Sequence, residues 1–258
     1  MNVTFISQVN KWFVNANLNP AAKLRLFCVP YAGGGASVFH EWSHFFPKEI
    51  EICSIQLPGR ENRGMEDPLT DLQQIVEIAA EEIQPLINIP FAFFGHSMGA
   101  LISFELARKI RQKNNVNPVH LFVSGRHAPQ IPCTKQDYHL LPDDQFIQEL
   151  RLLNGTPEIV LQNAEMMGIL LPRLRADFSA CGSYQYKNNE PLDCPITAFG
   201  GKDDIGVTYQ SLEAWREQTK KEFSVCMYPG DHFFLYDNQH EMIEFMCKQL
   251  HLLLAPKI

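Results

Sequence analysis

Phe91-Ala92-Phe93-Phe94-Gly95-His96-Ser97-Met98-Gly99-Ala100 is an apolar aromatic run that ends in Gly-x-Ser-x-Gly. Ile102, Leu106 and Ile110 follow at four-residue intervals, the spacing of one helix face. The stretch therefore predicts a strand, a tight turn and a helix, the setting in which a serine is raised on a nucleophile elbow. Glycines two positions either side remove side chains that would collide across so sharp a turn. The helix N-terminus beneath the hydroxyl favours developing negative charge. By itself Gly-x-Ser-x-Gly also fits an ordinary glycine-rich turn, and its flanks give it weight.

Upstream, Leu24 to Val29 reads as a strand ended by Pro30-Tyr31-Ala32-Gly33-Gly34-Gly35. Helical spacing at Val38, Phe39, Trp42, Phe45 and Phe46 comes next. A phosphate-cradling loop is one reading, but neither the Gly-x-x-x-x-Gly-Lys-Ser/Thr nor the Gly-x-Gly-x-x-Gly spacing is present. The other reading makes its backbone N–H groups half of an oxyanion hole, with Ala32 the first choice of donor and Tyr31 and Gly33 next. The serine elbow downstream favours the second. Ile50 to Leu57 alternates as a strand would, and Pro58-Gly59-Arg60 turns it. Arg60 and Arg63 then fall at a sheet's carboxyl edge, either facing a ligand or serving as structural arginines in a loop. Leu72 to Leu86 reads as an amphipathic helix, and His120 to Gly125 as a further strand.

Alternating strands and helices imply a mostly parallel sheet covered on both faces. The rhythm breaks between about 141 and 187, where Leu141-Pro142-Asp143-Asp144 starts a helix. A second helical stretch carries Met166, Met167, Leu170, Leu171, Leu174 and Phe178. Gly155, Pro157 and Pro172 are expected to divide this region into short helices. Residues 141–187 thus read as a helical lid over a core made of 1–140 and 188–258. The alternation resumes at Pro195 to Phe199 and Phe223 to Tyr228, and a final helix carries Met242, Met246, Leu250 and Leu253.

With 258 residues and a net charge of −7, the chain has room for a large core and no basic footprint for nucleic acid. Residues 1–20 lack a leader's basic start and apolar core, and no apolar run spans a bilayer. Seven scattered cysteines without a Cys-x-x-Cys pair fit a reduced, cytoplasmic protein.

A serine hydroxyl needs a base, and a base histidine needs a carboxylate to fix its tautomer. Of nine histidines, His232 alone follows a late strand and a Gly-Asp turn. His96 lies inside the elbow and is expected to shape the pocket. His127 and His139 flank the insertion. Asp203 and Asp204 both follow the next-to-last strand; Asp204 is preferred because it is central in Gly201-x-x-Asp204-x-x-Val207. No His-x-x-x-His or clustered carboxylates suggest a metal.

Together these segments resemble the type II thioesterases of polyketide and nonribosomal peptide assembly lines. The carrying residues are Phe27 to Gly34, Leu57-Pro58-Gly59-Arg60, Gly95 to Gly99, Leu141-Pro142-Asp143-Asp144, Gly201-Lys202-Asp203-Asp204 and Gly230-Asp231-His232-Phe233-Phe234. The resemblance implies an α/β-hydrolase fold with Ser97 as nucleophile, Asp204 as acid and His232 as base. It implies backbone oxyanion donors at Met98 and near Ala32, and no cofactor of its own. It also implies acyl or peptidyl carrier domains as partners, whose phosphopantetheine arm bears the substrate; the chain is expected to act as a monomer. Gly35 and Ala100 depart from the family pattern, and Ala100 would narrow the pocket floor. Arg151, Arg173 and Arg175 are the docking cations expected for an acidic carrier. The rival readings are an esterase, lipase or acyl-CoA thioesterase with the same three residues, and a non-catalytic binding protein on this scaffold.

Overall fold

The computed structural model describes residues 11–14, 19–132 and 137–254. Seven strands form one sheet: β1 (Phe13–Val14), β2 (Leu24–Val29), β3 (Ile50–Ile55), β4 (Phe91–His96), β5 (His120–Ser124), β6 (Ile196–Gly201) and β7 (Phe223–Tyr228). Their order is β1-β3-β2-β4-β5-β6-β7. β1 runs antiparallel to β3, and every other neighbouring pair is parallel. Trp12 and Phe13, from a stretch with little periodicity, are buried against this edge.

Strands β2 to β6 are buried along their whole length, as expected where helices cover both faces. The alternation seen at Ile50 to Leu57 therefore does not place its polar residues in solvent. Glu51 is buried and accepts from Arg25 Nε at 2.6 Å, and Gln56 Oε1 accepts from the Ala36 N–H at 2.7 Å. Those polar positions are satisfied internally. One sheet face packs against α1 (Leu72–Glu82) and α2 (Met98–Asn114), through residues such as Ile75, Leu101 and Phe104. Asp71 caps α1 by accepting from the Gln74 N–H. The other face packs against Phe39, Trp42, Met242 and Met246. The helical spacing near Phe39 is realised as 3-10 turns over Ala36–His44.

Between β5 and β6 lie α3 (Asp143–Leu153), α4 (Glu158–Leu161) and α5 (Ala164–Gly182). They share a small core of Phe146, Leu150, Leu161, Met167 and Leu174. Gly155 and Pro157 separate α3 from α4 as expected, but Pro172 does not divide α5. A proline ring presses on the carbonyl four residues back and removes one hydrogen bond. That carbonyl belongs to Gly168, where a side chain would meet open space, and burial of Leu174, Asp177 and Ala180 holds the second half in place. After β6 the chain forms α6 (Tyr209–Glu213), and α7 (Gln239–Leu254) follows β7.

Candidate active site

The elbow stands between β4 and α2. Ser97 has φ +54° and ψ −112°, a conformation L-residues avoid. A Cβ on Gly95 would lie 2.1 Å from the Gly99 carbonyl oxygen, and one on Gly99 would lie 2.0 Å from the Val29 oxygen. Both glycines are thus required by close backbone approach, the second because α2 starts against the end of β2. The Ser97 N–H donates to the Ser124 carbonyl at 2.7 Å, which ties the strained residue to β5.

The loop after β7 brings His232 over the serine, with Nε2 3.0 Å from Ser97 Oγ. His232 Nδ1 lies 2.7 Å from Asp204 Oδ2, on the loop after β6. Asp204 Oδ1 accepts from the N–H groups of Gly206 and Val207 at 2.8 and 3.2 Å. Its carboxylate is therefore held by backbone donors and presents its other oxygen to the imidazole. Asp203 points elsewhere: its Oδ2 accepts from the Gly230 N–H at 3.2 Å, bracing the histidine loop. Asp231 takes the Phe233 N–H and Asn154 Nδ2, linking that loop to the end of α3.

His96 is fully buried, with Nδ1 2.9 Å from Ser124 Oγ and its ring 5.2 Å from that of His232. Burial first, and His232 second, hold its pKa well below the ordinary histidine value. It stays neutral and so places no like charge beneath an imidazolium at His232. His127 and Arg126 line the same cavity. His139 does not; its carbonyl accepts from Arg175.

Ser97, Met98, Ala32, His232 and Asp204 open onto a cavity of about 470 Å³, walled on the far side by Ile131, Leu152, Phe178 and Val207. A smaller recess of about 50 Å³ lies on the other flank, between Tyr31, Leu150, Leu174 and Phe233. The serine thus sits between two mostly apolar arms. Among the described residues, no backbone hydrogen bond leaves the N–H of Met98 or of Ala32. Ala100 is wholly buried in the core and does not line the cavity, so its expected effect on the pocket floor is not seen.

The glycine loop does not cradle an external anion through Gly33. That N–H donates to Asp177 Oδ2 at 2.6 Å, so a carboxylate of the protein occupies the position. Arg60, 1% exposed, forms a two-pronged pair with Asp177 at 2.8 and 2.9 Å and also donates to the Gly34 carbonyl. Arg63 bonds Glu66 and the Gln56 carbonyl. Of the two readings for these arginines, the structural one holds. Asp177 had no motif to mark it. The usable signal was spacing: with Leu174 and Phe178 it falls on the apolar face of a helix, where a carboxylate requires a buried partner.

Among the described residues, no cluster of histidine, cysteine and acidic side chains could hold a metal ion. None of their helices is long and apolar enough to cross a membrane.

Residues 24–250 match the profile of the thioesterase domain family. The chain is 88% identical to the gramicidin S biosynthesis protein GrsT of Aneurinibacillus migulanus, over 99% of this chain and all of that protein. It is 46% identical to a Brevibacillus parabrevis protein named linear gramicidin dehydrogenase LgrE, over 94% of this chain and 93% of that one. Its structure resembles that of the type II thioesterase BorB from the borrelidin biosynthetic cluster, with a TM-score of 0.85 and 34% identity over 93% of this chain and 98% of BorB.

Proposed function

The chain belongs to the thioesterase domain family, and from that premise we propose that Ser97, His232 and Asp204 hydrolyse acyl and aminoacyl thioesters on the phosphopantetheine arm of synthetase carrier domains. The enzyme is a thioester hydrolase of the type II class on an α/β-hydrolase fold. The observation that carries the residue assignment is the unbroken chain Asp204 Oδ2–His232 Nδ1 and His232 Nε2–Ser97 Oγ at the floor of the cavity.

In this reading His232 takes the Ser97 proton as Oγ attacks the thioester carbonyl. The oxyanion that forms meets the N–H groups of Met98 and Ala32. The carbon–sulfur bond then breaks, and His232 returns its proton to the departing thiolate. A thiol's pKa near ~8.5 makes that departure less dependent on the acid than an alcohol's would be. Water, deprotonated by His232, attacks the acyl-serine, and collapse of the second tetrahedral intermediate frees the acid and restores Ser97. The reaction draws on protein groups and water alone, with the pantetheine supplied by the partner.

The helices within 141–187 act as the lid, its apolar residues lining both arms beside the serine. Hydride transfer, suggested by the name of the Brevibacillus parabrevis relative, finds no support here: the glycine loop lacks dinucleotide spacing, and the Gly33 N–H already serves Asp177. For an acidic carrier, Arg151, Arg173 and Arg175 are candidate docking cations, of which Arg151 also pairs with Glu158 and Arg175 with Asp143. Cys28, Cys53, Cys194, Cys226 and Cys247 are free thiols, in keeping with a cytoplasmic enzyme. All three reacting side chains come from one chain, as a monomer requires.

The test compares turnover of an acyl-phosphopantetheinyl carrier, the matching acyl-CoA and a simple ester. The carrier thioester should have the highest kcat/KM, and Ser97→Ala should lower it at least about 10³-fold. Preference for the simple ester would favour the esterase reading. Unchanged hydrolysis by Ser97→Ala would remove the catalytic one.

A further inference from the structure

We infer that the buried Arg60–Asp177 pair sets the conformation of the oxyanion-hole loop, so that Asp177 is a positioning residue for hydrolysis, reaching into the site from α5. The inference rests on the assignment of Ser97 and Ala32 made above. Tyr31 to Gly34 form a β-turn, closed by the Gly34 N–H donating to the Tyr31 carbonyl at 2.9 Å. Gly33, third in that turn, has φ +83°, the value of a type II turn. In a type II turn the central peptide, between Ala32 and Gly33, is flipped relative to the commoner type I turn. Its N–H is what Asp177 Oδ2 accepts at 2.6 Å.

The same carboxylate is held from behind by both guanidinium arms of Arg60, and Arg60 Nη1 also donates to the Gly34 carbonyl at 2.9 Å. Asp177 and Arg60 are 0% and 1% exposed, so water does not compete for these bonds. Leu174, one turn earlier on α5, closes over the turn; a Cβ on Gly33 would lie 2.6 Å from its Cδ2. The peptide that follows Ala32 is therefore fixed in one of two orientations by a charge from the helical insertion. Ala32 contributes its N–H to the oxyanion through the peptide on its other side, and that N–H can be aimed only while the turn is held. An oxyanion donor works because it is placed before charge develops, and errors near 1 Å cost about 10²-fold.

The experiment uses the full-length enzyme with two variants. Asp177→Asn removes the charge at nearly constant volume. Arg60→Met/Asp177→Leu removes both charges and leaves neither unpaired, so a folded protein is available even where the single variant does not fold. For each variant, circular dichroism establishes folding. Hydrolysis of a hexanoyl N-acetylcysteamine thioester gives kcat and KM, and hexylboronic acid, which forms a tetrahedral adduct with an activated serine, gives an affinity. The expected result is a kcat lowered roughly 10²-fold, a KM within about threefold, and boronate affinity lowered in proportion to kcat/KM. Folded variants that keep kcat and boronate affinity within about threefold overturn the inference, as does a fall in kcat with boronate affinity unchanged. Ser97→Ala is run alongside: hydrolysis surviving in that variant refutes the site itself, a failure distinct from that of the positioning role.

Discussion

The carboxylate of Asp204 accepts from two backbone N–H groups with one oxygen and faces His232 with the other, while the carboxylate of Asp203 accepts from the Gly230 N–H. Substitution should separate the neighbours. Asp204→Asn places an amide where the imidazole needs an acceptor and should lower kcat about 10⁴-fold, as loss of tautomer control does in other serine hydrolases. Asp203→Asn keeps an oxygen for Gly230 and should stay within about tenfold. Steady-state kinetics on one thioester would check both, and a larger loss at Asp203 would reverse the assignment. Ser97 and His232 were legible in the sequence because each carries its local context with it: a strand, a glycine turn and a helix, or a late strand and a Gly-Asp turn. Asp177 was not, since its partners Gly33 and Arg60 are 144 and 117 residues away and no local pattern encodes that distance.

Helix α5 combines Gly168 and Pro172 in its first half with the buried Leu174 and Asp177 in its second. Glycine costs a helix interior about 0.5–1 kcal/mol relative to alanine. A Cβ at Gly168 would meet nothing within 4 Å, so Gly168→Ala should raise stability by about that amount in urea denaturation. Hydrogen exchange should show amides before Pro172 opening faster than those around Asp177 in the parent, with the difference narrowed in Gly168→Ala. Equal protection along the helix would mean that it moves as one body. The sequence revealed these helices through their apolar spacing, yet it placed a boundary at Pro172. A proline's local penalty is visible in sequence, whereas the tertiary anchoring that outweighs it is not.

Across the whole molecule, buried neutral histidines make stability depend on pH. His120 lies in the sheet, stacked on Phe122 and bonded to Thr197 Oγ1, and burial lowers its pKa to about 3. His96 is shifted in the same direction. The unfolded chain binds protons at these sites below about pH 6.5, while the folded chain does not. Their contribution is therefore complete above the unfolded value and is lost as pH falls toward the folded ones. Urea denaturation at pH 7.5 and 5.0 should show a loss on the order of 2 kcal/mol from His120, which His120→Gln removes. Identical pH dependence in parent and variant would assign the effect elsewhere. The sheet itself was the most legible feature, because strands carry apolar runs such as Phe91 to Phe94. The polar strand positions Arg25 and Glu51 satisfy each other across β2 and β3 and could be read only once the register was known.

The sheet order also sets a timetable for synthesis. Ser97 sits at the centre of the sheet, whereas the acid and the base arrive on its last two strands, His232 coming 135 residues after the serine. At 5–20 residues per second, a ribosome spends roughly 7 to 30 s between the two. Throughout that interval the nascent chain carries the proposed nucleophile without its base, and until Asp204 is made it lacks the acid as well. In the proposed mechanism, activity waits for β7 to dock at the sheet edge, because the loop after it carries the base.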